Sequence, residues 1–360
     1  MHARIAQALE ELYGDDADAH AAELAHHFSQ AEAVTGKEKL VHYSLLAGEQ
    51  ALAAYAYEDA LGHFQRALAA KKVSTSEFES VSDIDTAAIL FGMGHAQVAL
   101  NNIQEAVSDL TRAFDYYVES EDVSRAVTIA RNSHSTQLMS GMRESIARAI
   151  QIVPPNSIQL GHILVNHGYC LGITSGGYDA AEEAFGLALA IARDNTDTGL
   201  EMRVLASSSN IDGYHLRWEG SLSKSLQALE LASRDHPQSK MRAHVWASFA
   251  LLTAYGDIER ARAQAAELRS TAERLRDAVW LPRAFYYDIN LFCIIGHWAS
   301  AREITDQGVA LFPTDPVLLG QRALLEHQVG DITQGDDYLR RFLEYRGAGV
   351  PTSGYSTPLI

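Results

Sequence analysis

One phrase recurs along this chain of 360 residues: a bulky apolar residue, a small one three positions on, a bulky one four later, and a small one three after that. It reads Tyr57, Ala60, Phe64, Ala67, then Ile103, Ala106, Leu110, Ala113, then Tyr178, Ala181, Phe185, Ala188. Looser copies are Leu222, Ser225, Leu229, Ala232 and Ile258, Ala261, Ala265, Leu268. Trp298, Ala301, Thr305, Gly308 and Ile332, Gly335, Leu339, Phe342 complete the series. Positions i, i+3, i+7 and i+10 share one helix face. The small residues let a second helix come close, and the bulky one fills the gap. A phrase that returns at such intervals describes supersecondary units stacked on their neighbours.

Two glycine registers run with it. Twelve residues before the first small position stand Gly48, Gly94 and Gly213, with Gly168 one residue out of line. Five residues before it stand Asn101, Gly176, Gly220, Gly256, Gly296 and Gly330, where a helical hairpin needs a tight, often left-handed turn. The small position advances by 46, 75, 44, 36, 40 and 34 residues. The 75-residue step is about twice the others and predicts one degenerate hairpin inside it. Ser124–Gln137 followed by Arg143–Ile152 fits, with Gly141 at the turn and Pro154-Pro155 ending the second helix.

Composition agrees with helix. Alanine occurs 54 times, and the first of only 8 prolines is Pro154. The net charge is −17, and the basic stretch Arg260–Arg276 is interleaved with Glu259, Glu267, Glu273 and Asp277. Such a chain repels a phosphate backbone, so direct nucleic-acid binding is not expected. Cys170 and Cys293 stand far apart in apolar surroundings, which suits a reducing compartment and excludes a disulfide framework. Apolar runs such as Leu291–Ile295 are far short of the ~20 residues that span a membrane, and a cytoplasmic location is expected.

These registers resemble the tetratricopeptide family, with its small residue on the first helix, Gly-x-Tyr at the turn and Ala-x3-Phe-x2-Ala on the second helix. The resemblance covers residues 40–345 at irregular intervals. It implies an all-α, right-handed TPR-like α-solenoid of about eight helical hairpins. A narrower resemblance lies in His20–Leu68, "HAAELAHHFSQAEAVTGKEKLVHYSLLAGEQALAAYAYEDALGHFQRAL". That stretch looks like the segment after the nucleotide-binding module of LuxR-type, MalT-like signal-transduction ATPases, and of certain multidomain nucleotide cyclases. The chain departs from those proteins in lacking G-x4-G-K-[ST] and in ending on "GAGVPTSGYSTPLI" with no basic helix-turn-helix. It therefore reads as the repeat portion of such a regulator. Residues 1–35 are expected to be linking or capping helices, 36–345 the repeat array, and 346–360 a Gly/Pro/Ser-rich tail or linker.

Catalytic and metal constellations read as packing. His20, Glu23 and His27 share a helix face beside His26, without the H-E-x-x-H spacing or a nearby cysteine. Ser207-Ser208-Ser209 lies inside a helix, G-x-S-x-G is absent, and Glu182-Glu183 and Asp336-Asp337 read as solvated faces. No cofactor, metal or enzymatic activity is expected within these residues.

A binding groove is the remaining function. In TPR-like stacks the first helices line the concave face, and the resemblance places ligand contacts around the first-helix small residue. That register gives His95, His134, Asn166, Asn210, Tyr214 and Arg217, then Arg283, Tyr286 and Asn290. Amides and phenols inside otherwise apolar helices are costly unless they bond to something. They satisfy neighbouring turns, or they hold a protein, a peptide or a small effector. Asn210, Tyr214 and Arg217 stand at i, i+4, i+7 and are expected on one stripe, with Gly213 facing the partner helix. The expectation is a protein-interaction or effector-sensing scaffold of a bacterial signalling or transcriptional regulator. The alternatives are a stand-alone TPR adaptor and the repeat region of a multidomain nucleotide cyclase or kinase.

Overall fold

The computed structural model describes residues 1–71, 81–100, 102–131, 136–231, 236–275 and 280–347. Among them there is no strand. The chain divides into two compact units, 1–153 and 154–360. The first holds α1 (His2–Tyr13), α2 (Ala21–Ser29), α3 (Glu32–Thr35), α4 (Glu38–Ala53) and α5 (Tyr57–Lys71). It continues with α6 (Ile84–Ala99), α7 (Ile103–Glu119), α8 (Val123–Arg131), α9 (Thr136–Gly141) and α10 (Arg143–Ile152).

The second unit holds α11 (Ile158–Gly172), α12 (Tyr178–Asp194), α13 (Thr198–Tyr214), α14 (Trp218–Glu230) and α15 (Pro237–Tyr255). It continues with α16 (Ile258–Leu275), α17 (Trp280–Ile294), α18 (Trp298–Leu311), α19 (Pro316–Val329) and α20 (Ile332–Gly347). Consecutive helices pair as hairpins: α11 with α12, α13 with α14, and so on to α19 with α20. Each first helix also packs on the next first helix, α11 on α13, α13 on α15, α15 on α17 and α17 on α19. Hairpin pairing joined to first-helix stacking is the arrangement of a TPR-like solenoid repeat. The degenerate hairpin lies where the long step predicts it, with α8 and α9 in place of one first helix and α10 as the second.

The turns repeat closely. Tyr55, Gly176, Leu216, Gly256, Gly296 and Gly330 all have left-handed φ, between 57° and 87°, and each lies two residues before a second helix. In all of them but the Gly176 turn, where Gly177 bonds Thr174, the N–H of the residue after the left-handed one closes the motif onto a carbonyl five or six residues back. Asp257 bonds Leu251, His297 bonds Phe292, and Arg217 bonds Asp212. The first small position is buried in every second helix that carries the phrase. Ala60, Ala106, Ala181, Ala261 and Ala301 are all fully buried. A Cβ on Gly48 would stand 2.5 Å from Phe64, and one on Gly94 2.5 Å from Leu110, so the first-helix glycines mark the crossing inside the hairpin.

One repeat is out of the expected register. α14 begins at Trp218, and its buried small residues are Ser221, Ser225 and Ala228, one helical turn before the expected Ser225 and Ala232. The reason is the turn. Leu216 takes the left-handed conformation itself, and Gly220 lies inside the helix, where a Cβ would meet Asp212 Oδ2 at 2.7 Å. The residue equivalent to Gly48 is then Ser209, whose carbonyl accepts from Ser221 Oγ at 2.9 Å. Gly213 faces not its partner helix but Trp246 of the next hairpin, 2.1 Å from where its Cβ would stand. Ala232, Asn101 and the tail from residue 348 lie outside the described residues.

Candidate functional site

With the register reset, the first helices of the second unit align. The small or core residue facing each second helix is Gly168 in α11, Ser209 in α13, Ser248 in α15 and Ile289 in α17. Gly168 approaches the Ala181 carbonyl, Ser221 bonds Ser209, Ser248 Oγ donates to the Ala261 carbonyl at 2.9 Å, and Ile289 packs with Ala301. Six residues earlier in each helix stand His162, Arg203, Arg242 and Arg283. Because the first helices pack on one another, this position forms a column of nitrogen bases along one face of the unit.

Two members of the column, Arg203 and Arg242, reach back to the preceding first helix. Arg203 Nη2 donates to Asn166 Oδ1 at 2.8 Å, and its Nη1 lies 3.1 Å from His162 Nδ1. Arg242 Nη1 donates to Ser207 Oγ at 3.0 Å, and its guanidinium lies 5.5 Å from the centre of the Tyr169 ring. Burial holds the Arg242 guanidinium below the usual arginine range. The other groups acting on it are the phenols of Tyr169, Tyr214 and Tyr287 and the Arg283 guanidinium. Tyr214 is raised above the usual tyrosine range by burial of part of its ring and by the Tyr169 hydroxyl it is bonded to. Its side chain is still 38% exposed, so this part of the face is open to a ligand. Between Ser207 and Tyr214 on the same stripe sits Asn210, buried to 7% exposure, whose Oδ1 has no hydrogen-bond partner. A buried, unsatisfied amide carbonyl costs about 1–3 kcal/mol and calls for a donor.

The expected site residues separate on this geometry. Asn166, Asn210 and Tyr214 lie on the face just described, as does Arg283, whose guanidinium is 5.2 Å from the Trp280 ring. Asn290 is satisfied within the array: its Nδ2 donates to the Tyr286 carbonyl at 2.7 Å and its Oδ1 accepts from Gln321 at 3.1 Å. Tyr286 is buried in the core cluster around Phe285 and Leu318. Arg217 does not continue the Asn210–Tyr214 stripe. α13 ends at Tyr214, and Arg217 follows the left-handed Leu216 as N-cap of α14, exposed, with its guanidinium 4.1 Å from the Tyr178 ring. His95 belongs to the first unit, where it stands edge-on to Phe91 at 4.5 Å and burial lowers its pKa. His134 lies outside the described residues.

A second polar cluster joins α12, α13 and α14. Asp212, 1% exposed, accepts from Tyr178 Oη at 2.6 Å and lies 2.9 Å from Lys224 Nζ. Lys224 also donates to Glu182 and to Ser208 Oγ, both at 2.7 Å, and Ser208 Oγ donates to Glu182 Oε1 at 2.7 Å. A serine beside a lysine can serve nucleophilic chemistry only when the amine is free to take a proton. Here the ammonium is spent on two carboxylates and Ser208 is 3% exposed, so the cluster is a tie between helices. At the N-terminus, His20 stacks on Tyr13 at 3.7 Å, Glu23 accepts from Tyr13 Oη, and His27 pairs with His2 at 3.0 Å. His20 and Glu23 thus share Tyr13, and His27 turns away to His2. Among the described residues no group of three or more His, Cys, Asp or Glu could hold a metal, and no helix is long and apolar enough to cross a membrane.

No family model and no curated protein matches the chain. Solved helical proteins do. A Rap conjugation gene regulator of the plasmid pLS20, in complex with the Phr* peptide, is 16% identical over 88% of this chain and 76% of that one, at a TM-score of 0.48. Aspartyl phosphate phosphatase F from Bacillus subtilis is 13% identical over 90% of this chain and 75% of that one, at 0.47. The APC/C hetero-tetramer Cut9-Hcn1 is 12% identical over 95% of this chain and 76% of that one, at 0.33. With every one of these scores below 0.5, the fold assignment stands on the helix pairing described above.

Proposed function

We propose that the chain is a non-catalytic scaffold that binds a peptide or an extended protein segment on the first-helix face of residues 154–360. The observation that carries this is Asn210. Its unpartnered Oδ1 sits in a stripe of otherwise satisfied polar groups, between the Arg242–Ser207 bond and the open Tyr214 ring. A peptide N–H is the donor that an amide carbonyl on such a face takes, and the exposed Tyr214 ring supplies flat apolar surface beside it. In this reading the array spans 36–345, with 1–35 as its cap and 346–360 as a linker. The resemblance of His20–Leu68 supports a place in a cytoplasmic bacterial signalling or transcriptional regulator.

The test is selection of decapeptides from a random display library on the immobilised chain. Wild type should retain a recurring set of sequences, and Asn210→Leu, with an unchanged melting temperature, should retain at least tenfold less of them. Recovery no greater than from a blank surface, or equal recovery by the folded variant, would remove the site.

A further inference from the structure

The repeat leaves one end of its core without a cover. Each second helix packs on the first helix that follows it: α5 on α6, α12 on α13, α14 on α15, α16 on α17 and α18 on α19. The third residue of the recurring phrase belongs to that packing, since a Cβ on Gly92 of α6 would stand 2.3 Å from the Phe64 ring of α5. Phe64, Leu110, Phe185, Ser225, Ala265 and Thr305 hold this position, and all are buried. In α20 it is Leu339, 39% exposed, and Leu343 one turn on is 52% exposed. The first helices show the same break. The residue after the small one is Tyr169 in α11, Asn210 in α13, Phe249 in α15 and Asn290 in α17, each buried or half-buried. In α19 it is Leu324, 49% exposed. Gly320 stands against Phe342 and Gly335 against His327, which sets Leu324 level with Leu339 across the hairpin. A terminal hairpin that faces water carries a polar outer side. This one carries Ile332, Leu339 and Leu343 along one face of α20, with Leu324 beside them.

We propose that this end is covered by the same end of a second copy of the chain, with α20 antiparallel to its counterpart about a two-fold axis near Leu339. The order of charges on α20 selects this occupant. Asp336 and Arg340 stand one turn apart on one flank of the apolar stripe, and both are exposed. A two-fold axis brings the same flank of two antiparallel helices together with its order reversed. Asp336 then meets the partner's Arg340, and Arg340 meets the partner's Asp336. In that register Ile332 lies over the partner's Leu343, and the two copies of Leu339 pack beside the axis. Within its own chain Arg340 is 3.1 Å from Asp337 and Asp336 is 3.5 Å from His327, exposed contacts that cost little to share. The residues after α20 do not read as the missing cover, because Gly347, Gly349 and Pro351 are helix breakers. The leucines supply the affinity, and the two rim ion pairs fix the direction.

The experiment is sedimentation equilibrium of the full chain. Wild type should be a dimer at about 100 µM and dissociate on dilution. Leu339→Glu should weaken the dimer at least about a hundredfold, with helix content unchanged by circular dichroism. Asp336→Arg alone and Arg340→Asp alone each set like charges together twice across the axis, and each should weaken it at least about tenfold. Mixed in equal amounts, these two single variants should pair with each other at near wild-type strength, because both ion pairs re-form between unlike chains. Should Leu339→Glu fail to fold, the charge variants, at exposed positions, decide alone. A wild-type chain that stays monomeric would leave the leucines to its own tail or to another protein and would overturn the proposal. A dimer that the folded Leu339→Glu variant keeps intact would also overturn it, and so would a mixture of the charge variants no tighter than either one.

Discussion

Two polar clusters lie one helix apart in the second unit, and they are built on opposite accounts of charge. Around Lys224 every buried charge has its opposite: Asp212 and Glu182 share the ammonium, Tyr178 and Ser208 fill the remaining donor and acceptor positions, and three helices are tied together. Around Arg242 the partners are neutral or of like sign, and the neighbouring Asn210 carbonyl is left without a donor. The first cluster pairs its charges within itself. The second becomes complete only when something brings a donor for the amide. On the proposed reading, the array separates a structural tie from a binding surface by whether its charges close.

The comparison can be broken most sharply at Lys224. Replacing it, Lys224→Met, leaves Asp212 charged at 1% exposure and should cost about 3–5 kcal/mol, read as a fall in denaturant midpoint with unchanged slope. A variant as stable as wild type would mean the closed cluster ties nothing.

An intermediate case sharpens it. Asp288 is paired with Arg269 at 3.2 Å, but burial outweighs that attraction and lifts its carboxyl to about 6. A carboxyl raised in the folded state holds its proton more tightly there than in the unfolded chain. Its contribution is therefore fully present below the unfolded value near 4 and is lost as pH rises through about 6. Stability should rise by about 1–3 kcal/mol between pH 7 and pH 4.5 from this group, and Asp288→Asn should flatten that slope. A slope identical in both proteins would show that Asp288 is not the group responsible.

The smallest effect on stability belongs to the open cluster. Arg242→Gln removes a cation with no counter-charge and should change stability by less than about 1 kcal/mol in either direction. A loss comparable to that of Lys224→Met would make Arg242 a tie like the other.

How much of this was legible in sequence depended on which residue makes the turn. Where a glycine turns the chain, as at Gly176, Gly256 and Gly296, the Ala-x3-bulky phrase after it marks the second helix correctly. Between α13 and α14 the turn is Leu216, a residue with no reputation for left-handed backbone, and the nearest glycine, Gly220, is small because Asp212 presses on it. Gly213 and Gly220 therefore set the register one turn late, and Arg217 was placed on a stripe that the helix does not reach. Asn166, Asn210 and Tyr214 still share one face after that shift because they stand near the small residue in either register. Arg203, Arg242, Ser207 and Tyr169 were missed. Their signal was present as a basic residue six positions before Ser209, Ser248 and Ile289, readable only once those three are known to be equivalent. That Asn290 is satisfied by Gln321 could not be read from one helix, since its partner lies in the next hairpin.

The central claim is that the open cluster, and not the second-helix surface, receives the ligand. It is tested most directly by placing a photo-crosslinking residue, p-benzoylphenylalanine, either at Tyr214 or at Leu187, an exposed residue of α12. Both variants are irradiated with the peptides retained by wild type. The account predicts a covalent adduct at position 214, competed by unlabelled peptide, and none at 187. Equal labelling at both positions, or labelling at 187 alone, would contradict it.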